Sequence, residues 1–398
     1  MITHDPTEYI KGLQTILVSD KKKIGFLLGA GTSLAKKNEN SKIVLSVKEM
    51  TNNIIQNITD EKNKNAVEQI KEEIGDGNFN IETLLSNLEL KFQVIGKDIL
   101  NGLNKNDIKL LIDEIKNKIK ELVSVHNNIQ ADNQIQTDFA EWIKRADRKF
   151  PIELFTTNYD YLFEIGLEYN NIPYFDGFSG SFNPFFCAEL VNDFSFLPKQ
   201  TKLWKIHGSL GWTYDESNGK VIRSSSDNNN LLIYPSVLKY VDSKKLPYEA
   251  LMDRLSNFIK QDDAVLITSG YSFGDEHINE RIFTALQSST TSSGLALLHT
   301  DNFEENHRLA QIAKSNGKLS VYAKKSAVIG CQYGIWKLKR EPSKDDTISL
   351  NLYFDEDAPE MNSQLNEEKK GEEKWTGTGK LIITDFSKLV KFLQSMIV

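Results

Sequence analysis

At 398 residues, with 39% hydrophobic and 26% charged positions, the sequence describes a globular protein with room for two domains. A formal net charge of −7 gives no global electrostatic reason to bind nucleic acid. No apolar run reaches the length of a membrane span, and the N-terminus MITHDPTEYI lacks the charged and apolar regions of a signal peptide, so no membrane is expected and the expected compartment is cytoplasmic.

In chain order, residues 5–19 read as a helix, with Asp5 as its N-cap and Pro6 at its first position. Lys23–Leu28 (KIGFLL) reads as a short buried strand that ends in the glycine turn GAGTS. From about Val44 to Arg148 the texture is rich in Lys, Glu, Asn, Ile and Leu and has no proline. Its helical spacing in IETLLSNLELKFQVI and DIKLLIDEIKNKIKELVSV predicts an inserted helical subdomain. Strand-like runs resume at IELFTT, KLWKIHG, NLLIYP, DAVLITSG, GLALLHT and KLSVYA, several of them followed by helical stretches such as GDEHINERIFTALQ. Residues 171–240 are more loop than helix, with a hairpin around WTYDESNGKVIR.

Unbroken apolar strands alternating with helices predict an α/β fold, a Rossmann-like, mostly parallel sheet covered by helices on both faces. The expected organisation is a main domain over 1–336, carrying the helical insertion at about 44–148, and a C-terminal extension over 337–398. That extension holds a charged loop at about 356–376 and a last strand–helix pair, KLIITDFSKLVKFLQSMIV. The two cysteines, Cys187 and Cys331, form no CxxC pair, which excludes a zinc ribbon and argues against a disulfide framework.

Four short segments carry chemical potential. Gly29-Ala30-Gly31-Thr32-Ser33 lets backbone N–H groups at a helix start approach a pyrophosphate. The third glycine of the usual GxGxxG fingerprint is replaced by Leu34. In Thr156-Thr157-Asn158-Tyr159-Asp160 the plain reading is a helix N-cap, with Thr157 or Asn158 capping and Asp160 in the first turn; the functional one is a polar pair at a strand mouth. Lys205-Ile206-His207-Gly208-Ser209 has a histidine leaving a strand into a glycine turn. In SGYSFGDEHIN, Gly270 and Gly274 permit tight geometry, Ser272 offers a hydroxyl and Asp275 caps the next helix. His277 and Asn279 are then most simply helix-surface residues, and HIN lacks the spacing of a metal site, so no metal is expected. Together the segments place small polar groups at strand ends of one parallel sheet, where open α/β folds bind ligands.

In their order and wording, FLLGAGTS, TTNYD, KIHGSLGW and SGYSFGDEHIN resemble the sirtuin-like NAD-binding domain, over about residues 20–325. They are most similar to its zinc-free bacterial branch of anti-phage defence NAD hydrolases, and the size and C-terminal extension resemble the sirtuin-like subunit of a sirtuin/HerA-ATPase system. The resemblance implies that Gly29, Ala30, Gly31, Thr32 and Ser33 wrap the NAD+ pyrophosphate, with Thr157 also among the cofactor-binding residues. It implies catalytic roles for Asn158 beside the nicotinamide ribose, Asp160 at the nicotinamide end and His207 as general base. Gly270, Tyr271, Ser272, Asp275 and Asn279 fall where the family contacts the adenosine half. NAD+ is then the substrate, with no metal.

The departures bear on the reaction. Sirtuin deacylases carry a GIPxFR-like segment after the glycine turn, where this chain has LAKKNENSKIV, and a four-cysteine zinc module that this chain lacks. Both losses favour water as the acceptor. The expectation is NAD+ hydrolysis to nicotinamide and ADP-ribose, depleting NAD+ during infection. The alternatives are a protein deacylase or ADP-ribosyltransferase, and a catalytically silent nucleotide-binding scaffold. A lethal NADase must be restrained, so a homo-oligomer and a HerA-type hexameric ATPase partner are expected, with DNA met only through that partner.

Overall fold

Asp5 and Pro6 begin the first helix as their residue types require. The Asp5 carboxylate accepts from the Thr7 N–H at 2.9 Å, Pro6 opens the helix Pro6–Val18, and Ile10, Leu13 and Leu17 are buried along one stripe. The computed structural model describes residues 2–146, 148–215, 217–224, 231–233, 246–343, 348–356 and 375–397. Its contacts divide the chain into two units.

The first unit comprises Met1–Ala35, Asp138–Glu153 and Leu255–Val398. Its strands Lys23–Leu28, Ala264–Ser269, Ser293–Leu298 and Leu319–Ala323 lie side by side in that order and pair in parallel. Beyond them Ser326–Ile329 and Gln332–Trp336 form an antiparallel hairpin, and Thr3–His4 pairs in parallel with Gln332–Trp336. Ala264–Ser269 is buried at every position and Lys23–Leu28 at every position but Lys23. Strands so buried need cover on both faces, which explains their continuous apolar sequence. Part of that cover is aromatic. Phe139 and Trp142, from the helix Ile135–Arg145, meet Phe26 edge-on with ring centroids 5.2 and 5.9 Å away. The unit is the expected Rossmann-like α/β arrangement with a mostly parallel sheet.

The C-terminal residues belong to this unit. Lys337 N–H donates to His4 O at 2.9 Å, Phe354–Asp355 pairs with Lys380–Leu381, and the helix Phe386–Gln394 is capped by Asp385. Phe386 packs on Phe139 at 5.5 Å between centroids. Most of the expected charged loop, 357–374, lies outside the described residues.

The second unit comprises Lys36–Thr137 and Leu154–Arg254. Four amphipathic helices, Val47–Gln56, Glu61–Ile74, Ile81–Val94 and Lys105–Val123, start on Ser46, Asp60, Asn80 and Asn104, each of which accepts a backbone N–H in its side chain. Their buried stripes meet in one core that includes Ile54, Ile70, Leu84, Leu88, Leu111 and Ile115. The core extends to Leu162 and Leu210, with Tyr159 and Tyr161 packed against it. The helices therefore share a core with the residues around TTNYD and KIHGSL. The strands Glu153–Thr156, Thr201–Lys205 and Tyr174–Phe175 lie in that order, and Trp212–Asp215 and Lys220–Arg223 form the hairpin expected around WTYDESNGKVIR.

Candidate functional site in two strand-end clusters

In the first unit, Leu28 and Ser269 are register partners, so their strands deliver two turns at the same level. Gly29 N–H donates to Ser269 O at 3.1 Å and Gly31 N–H to Gly270 O at 2.9 Å. The two turns touch backbone to backbone. A Cβ on Gly29 would stand 2.5 Å from Gly270 O, and one on Gly31 would stand 2.7 Å from Gly270 Cα. Gly270 itself has φ +64°, and its Cβ would lie 2.5 Å from Thr32 N. All three positions require glycine for this contact alone. Thr32 donates its hydroxyl back to Gly29 O at 2.8 Å, closing the turn, and Ser33 beside it is buried. Ala30–Leu34 forms a short helix, as expected of a turn that feeds a helix start.

The second turn is stitched by side chains. The Tyr271 hydroxyl donates to Asn279 Oδ1 at 3.0 Å, and Asn279 Nδ2 donates to Phe273 O at 2.8 Å. Asp275 caps Glu276–Ser288 by accepting from His277 N–H at 2.9 Å. Asn279 is thus buried, a correction to its reading as a helix-surface residue. The helix turns it inward beneath the loop it ties, whereas His277 is exposed. Ser272 is exposed at the tip. Thr268 Oγ1 and Ser269 Oγ, at the end of the feeding strand, are buried without a hydrogen-bond partner among the described residues, a feature the sequence did not announce.

In the second unit, Glu153–Thr156 and Thr201–Lys205 run side by side. Ile206 N–H donates to Thr156 O at 2.9 Å and Leu210 N–H to Tyr159 O at 3.0 Å. These two bonds bracket Thr157 and Asn158 on one chain and His207 on the other, placing the expected amide and imidazole in neighbouring turns. Asn158, Asp160 and His207 are all buried. The helix after TTNYD starts later than its sequence suggests, at Leu162. Asn158 N–H turns back to Thr156 Oγ1 at 3.1 Å, and it is Asp160 that accepts from Leu162 N–H, at 3.0 Å. The N-cap is therefore Tyr161, without a side-chain capping bond, and neither Thr157 nor Asn158 caps the helix; Asn158 lies ahead of it.

Beneath these turns lies a charge pair absent from the sequence-derived site. Lys205 Nζ is 2.8 Å from Glu164 Oε1, and both side chains are largely shielded from solvent. Burial holds the Glu164 carboxyl above the ordinary carboxylate range, an effect that Lys205 offsets only in part. The Tyr161 ring covers the ammonium at 5.2 Å. Ser209 Oγ, two residues beyond His207, is buried without a hydrogen-bond partner among the described residues. The available signal for Lys205 was a lysine that directly follows the apolar pair Leu203-Trp204 at the end of the strand TKLWK, where a charge is rarely hidden unless paired.

Residues 152–319 match the SIR2-like domain family. The SIR2-like match takes in Asn158, Asp160, His207 and the 270–279 turn, and starts beyond both the Gly29–Ser33 turn and the four helices between Val47 and Val123. It supports a sirtuin-like family and NAD-related activity, since SIR2-like domains are typically NAD-dependent enzymes. No curated protein matches the chain. Among the described residues, no group of three or more His, Cys, Asp or Glu side chains could hold a metal ion, and no helix is long and apolar enough to cross a membrane.

Proposed function

We propose that the protein cleaves NAD+ to nicotinamide and ADP-ribose, with water as the acceptor. The observation that carries this reading is the placement of Asn158 and His207 in neighbouring, mutually hydrogen-bonded turns inside the SIR2-like segment. Breaking the N-glycosidic bond builds positive charge on the ribose as neutral nicotinamide leaves. Asn158 would hold a ribose hydroxyl or the attacking water, Asp160 the nicotinamide end, and His207 would take the proton of the nucleophile. The pyrophosphate is assigned to Gly29–Ser33, with the adenosine half at Gly270, Tyr271, Ser272, Asp275 and Asn279, on the family resemblance. Water is favoured over an acyl-lysine peptide because the sequence has two cysteines, too few for the four-cysteine module of the deacylases.

The same resemblance supports a role as the NAD+-depleting effector of an anti-phage system, acting in the cytoplasm as a homo-oligomer with a HerA-type ATPase and touching DNA only through that partner. The test is chromatography of the products formed from NAD+ by the protein, alone and with such an ATPase and DNA. Nicotinamide and ADP-ribose in equal amounts support hydrolysis. Transfer of an acyl group from a peptide to the ADP-ribose part of NAD+, or of ADP-ribose to a protein, would replace it.

A further inference from the structure

Lys205 lies two residues before His207, at the end of the strand Thr201–Lys205, and its side chain is only 2% exposed. Its ammonium does more than neutralise Glu164. It donates to the main-chain carbonyl of Tyr159 at 3.2 Å and to that of Asp160, and its third direction goes to Glu164 Oε1 at 2.8 Å. An ammonium has three protons, and these three acceptors match them. Two of the three are carbonyls of the turn that follows Asn158. The third, Glu164, stands on the first turn of the helix that follows the same segment, Leu162–Tyr169.

We propose that Lys205 is a positioning residue, a buried three-way anchor that fixes the Asn158–Asp160 turn against the strand that leads into His207. The inference rests on the NAD+ hydrolase reading for its consequence and on this geometry for its cause. A hydrogen bond from a charged donor holds a carbonyl more firmly than a neutral one. Lys205 is covalently part of the strand that leads into His207 and bonded to the asparagine turn, so it ties the relative placement of the two groups to one side chain. Tyr159 O also receives Leu210 N–H at 3.0 Å, so the turn keeps one neutral tether when Lys205 is removed. Loss of the Lys205 donors should therefore loosen the turn without detaching it.

A plain structural role would be to neutralise Glu164, and two variants separate the alternatives. Lys205→Met leaves a buried carboxyl without its partner and risks misfolding. Lys205→Met combined with Glu164→Gln removes both charges at once, relieves that cost, and still lacks the donors to Tyr159 O and Asp160 O. The wild type and both variants are compared in NAD+ turnover, in NAD+ affinity by calorimetry, and in amide hydrogen exchange of residues 157–162.

The expected result is faster exchange confined to 157–162 in the double variant, with kcat about 100-fold below wild type and affinity within about threefold, the scale of a displaced catalytic group. Recovery of turnover in the double variant to near the wild-type rate would overturn the proposal and leave Lys205 as the counter-ion of Glu164. Unchanged exchange across 157–162 would also overturn it. Should the wild type cleave no NAD+ in any assembly, the hydrolase reading and the proposed effect on rate fall together, and exchange still decides whether Lys205 anchors the turn.

Discussion

The phenolic hydroxyl of Tyr159 donates to Oε1 of Glu82 at 2.7 Å, joining the residue between Asn158 and Asp160 to the helix Ile81–Val94. Leu162 and Leu210, which flank the two candidate segments, sit in the same apolar core as that helix. The helices of the second unit are therefore part of the wall that sets the candidate turn. Tyr159→Phe keeps the ring and removes only the hydroxyl. It should lower stability by about 1 kcal/mol, the net worth of one hydrogen bond. It should also reduce NAD+ turnover several-fold by releasing one side of the turn. Glu82→Gln should lower both in the same sense, and the double variant should lose less than the sum, as expected of partners in one bond. Denaturant unfolding and initial rates on the four proteins check this.

The glycine turns give a sharper stability contrast. Gly31→Ala and Gly270→Ala each drive a Cβ into the facing backbone, and at Gly270 the positive φ adds strain. Each should cost roughly 2 kcal/mol or more, since backbone cannot move aside as a flexible side chain can. Gly12, inside the helix Pro6–Val18, has nothing within 4 Å of its built Cβ. Gly12→Ala should therefore stabilise by about 0.5–1 kcal/mol. Urea midpoints at constant m-value provide the measurement.

Asn279 is expected to act through the loop it ties. Asn279→Ala removes one of the two acceptors of the Tyr271 hydroxyl, the other being Asp275 O, and the donor to Phe273 O, and should cost about 2 kcal/mol. On the proposed assignment it should raise the KM for NAD+ more than it lowers kcat, because the loop is placed at the adenosine half. A fall in kcat alone would count against that assignment.

The raised Glu164 carboxyl gives a pH dependence with a definite sign. Its folded affinity for the proton exceeds that of the unfolded chain, whose ordinary value is 4.5. Below that value the group is protonated in both states and contributes nothing unfavourable. As pH rises above it, the unfolded chain ionises first, so the folded state binds more protons and stability falls until the folded pKa is passed. The buried Asp176 carboxyl is raised as well and contributes in the same sense. Glu164→Gln should flatten the decline, and the difference between the two stability–pH curves isolates the Glu164 share. An identical slope in wild type and variant would remove it.

Local rules carried much of the fold. Asp5-Pro6 marked a helix start, KIGFLL a strand buried on both faces, and WTYDESNGKVIR a hairpin. The rest depended on partners distant in sequence. Nothing local shows that Asn158 N–H prefers Thr156 Oγ1 to a helical bond, so the helix was expected to start several residues too early. Asn279 looked like a surface residue because its polarity dominated the pattern, while its burial depends on Tyr271 and on the turn at Phe273. Lys205 and Glu164 are 41 residues apart, and each alone reads as a solvated charge. The glycines of the GAG turn were legible as glycines, but the facing Gly270 that requires them was visible only once the two strands were in register.

The central claim is tested most directly by NAD+ consumption with the full chain, followed by chromatography for nicotinamide and ADP-ribose, beside Asn158→Ala and His207→Ala, with and without a HerA-type ATPase and DNA. Equal release of both products by the wild type, reduced at least about 100-fold in each variant, is the predicted result. Binding of NAD+ without cleavage in every assembly, or turnover that survives both substitutions, would contradict it.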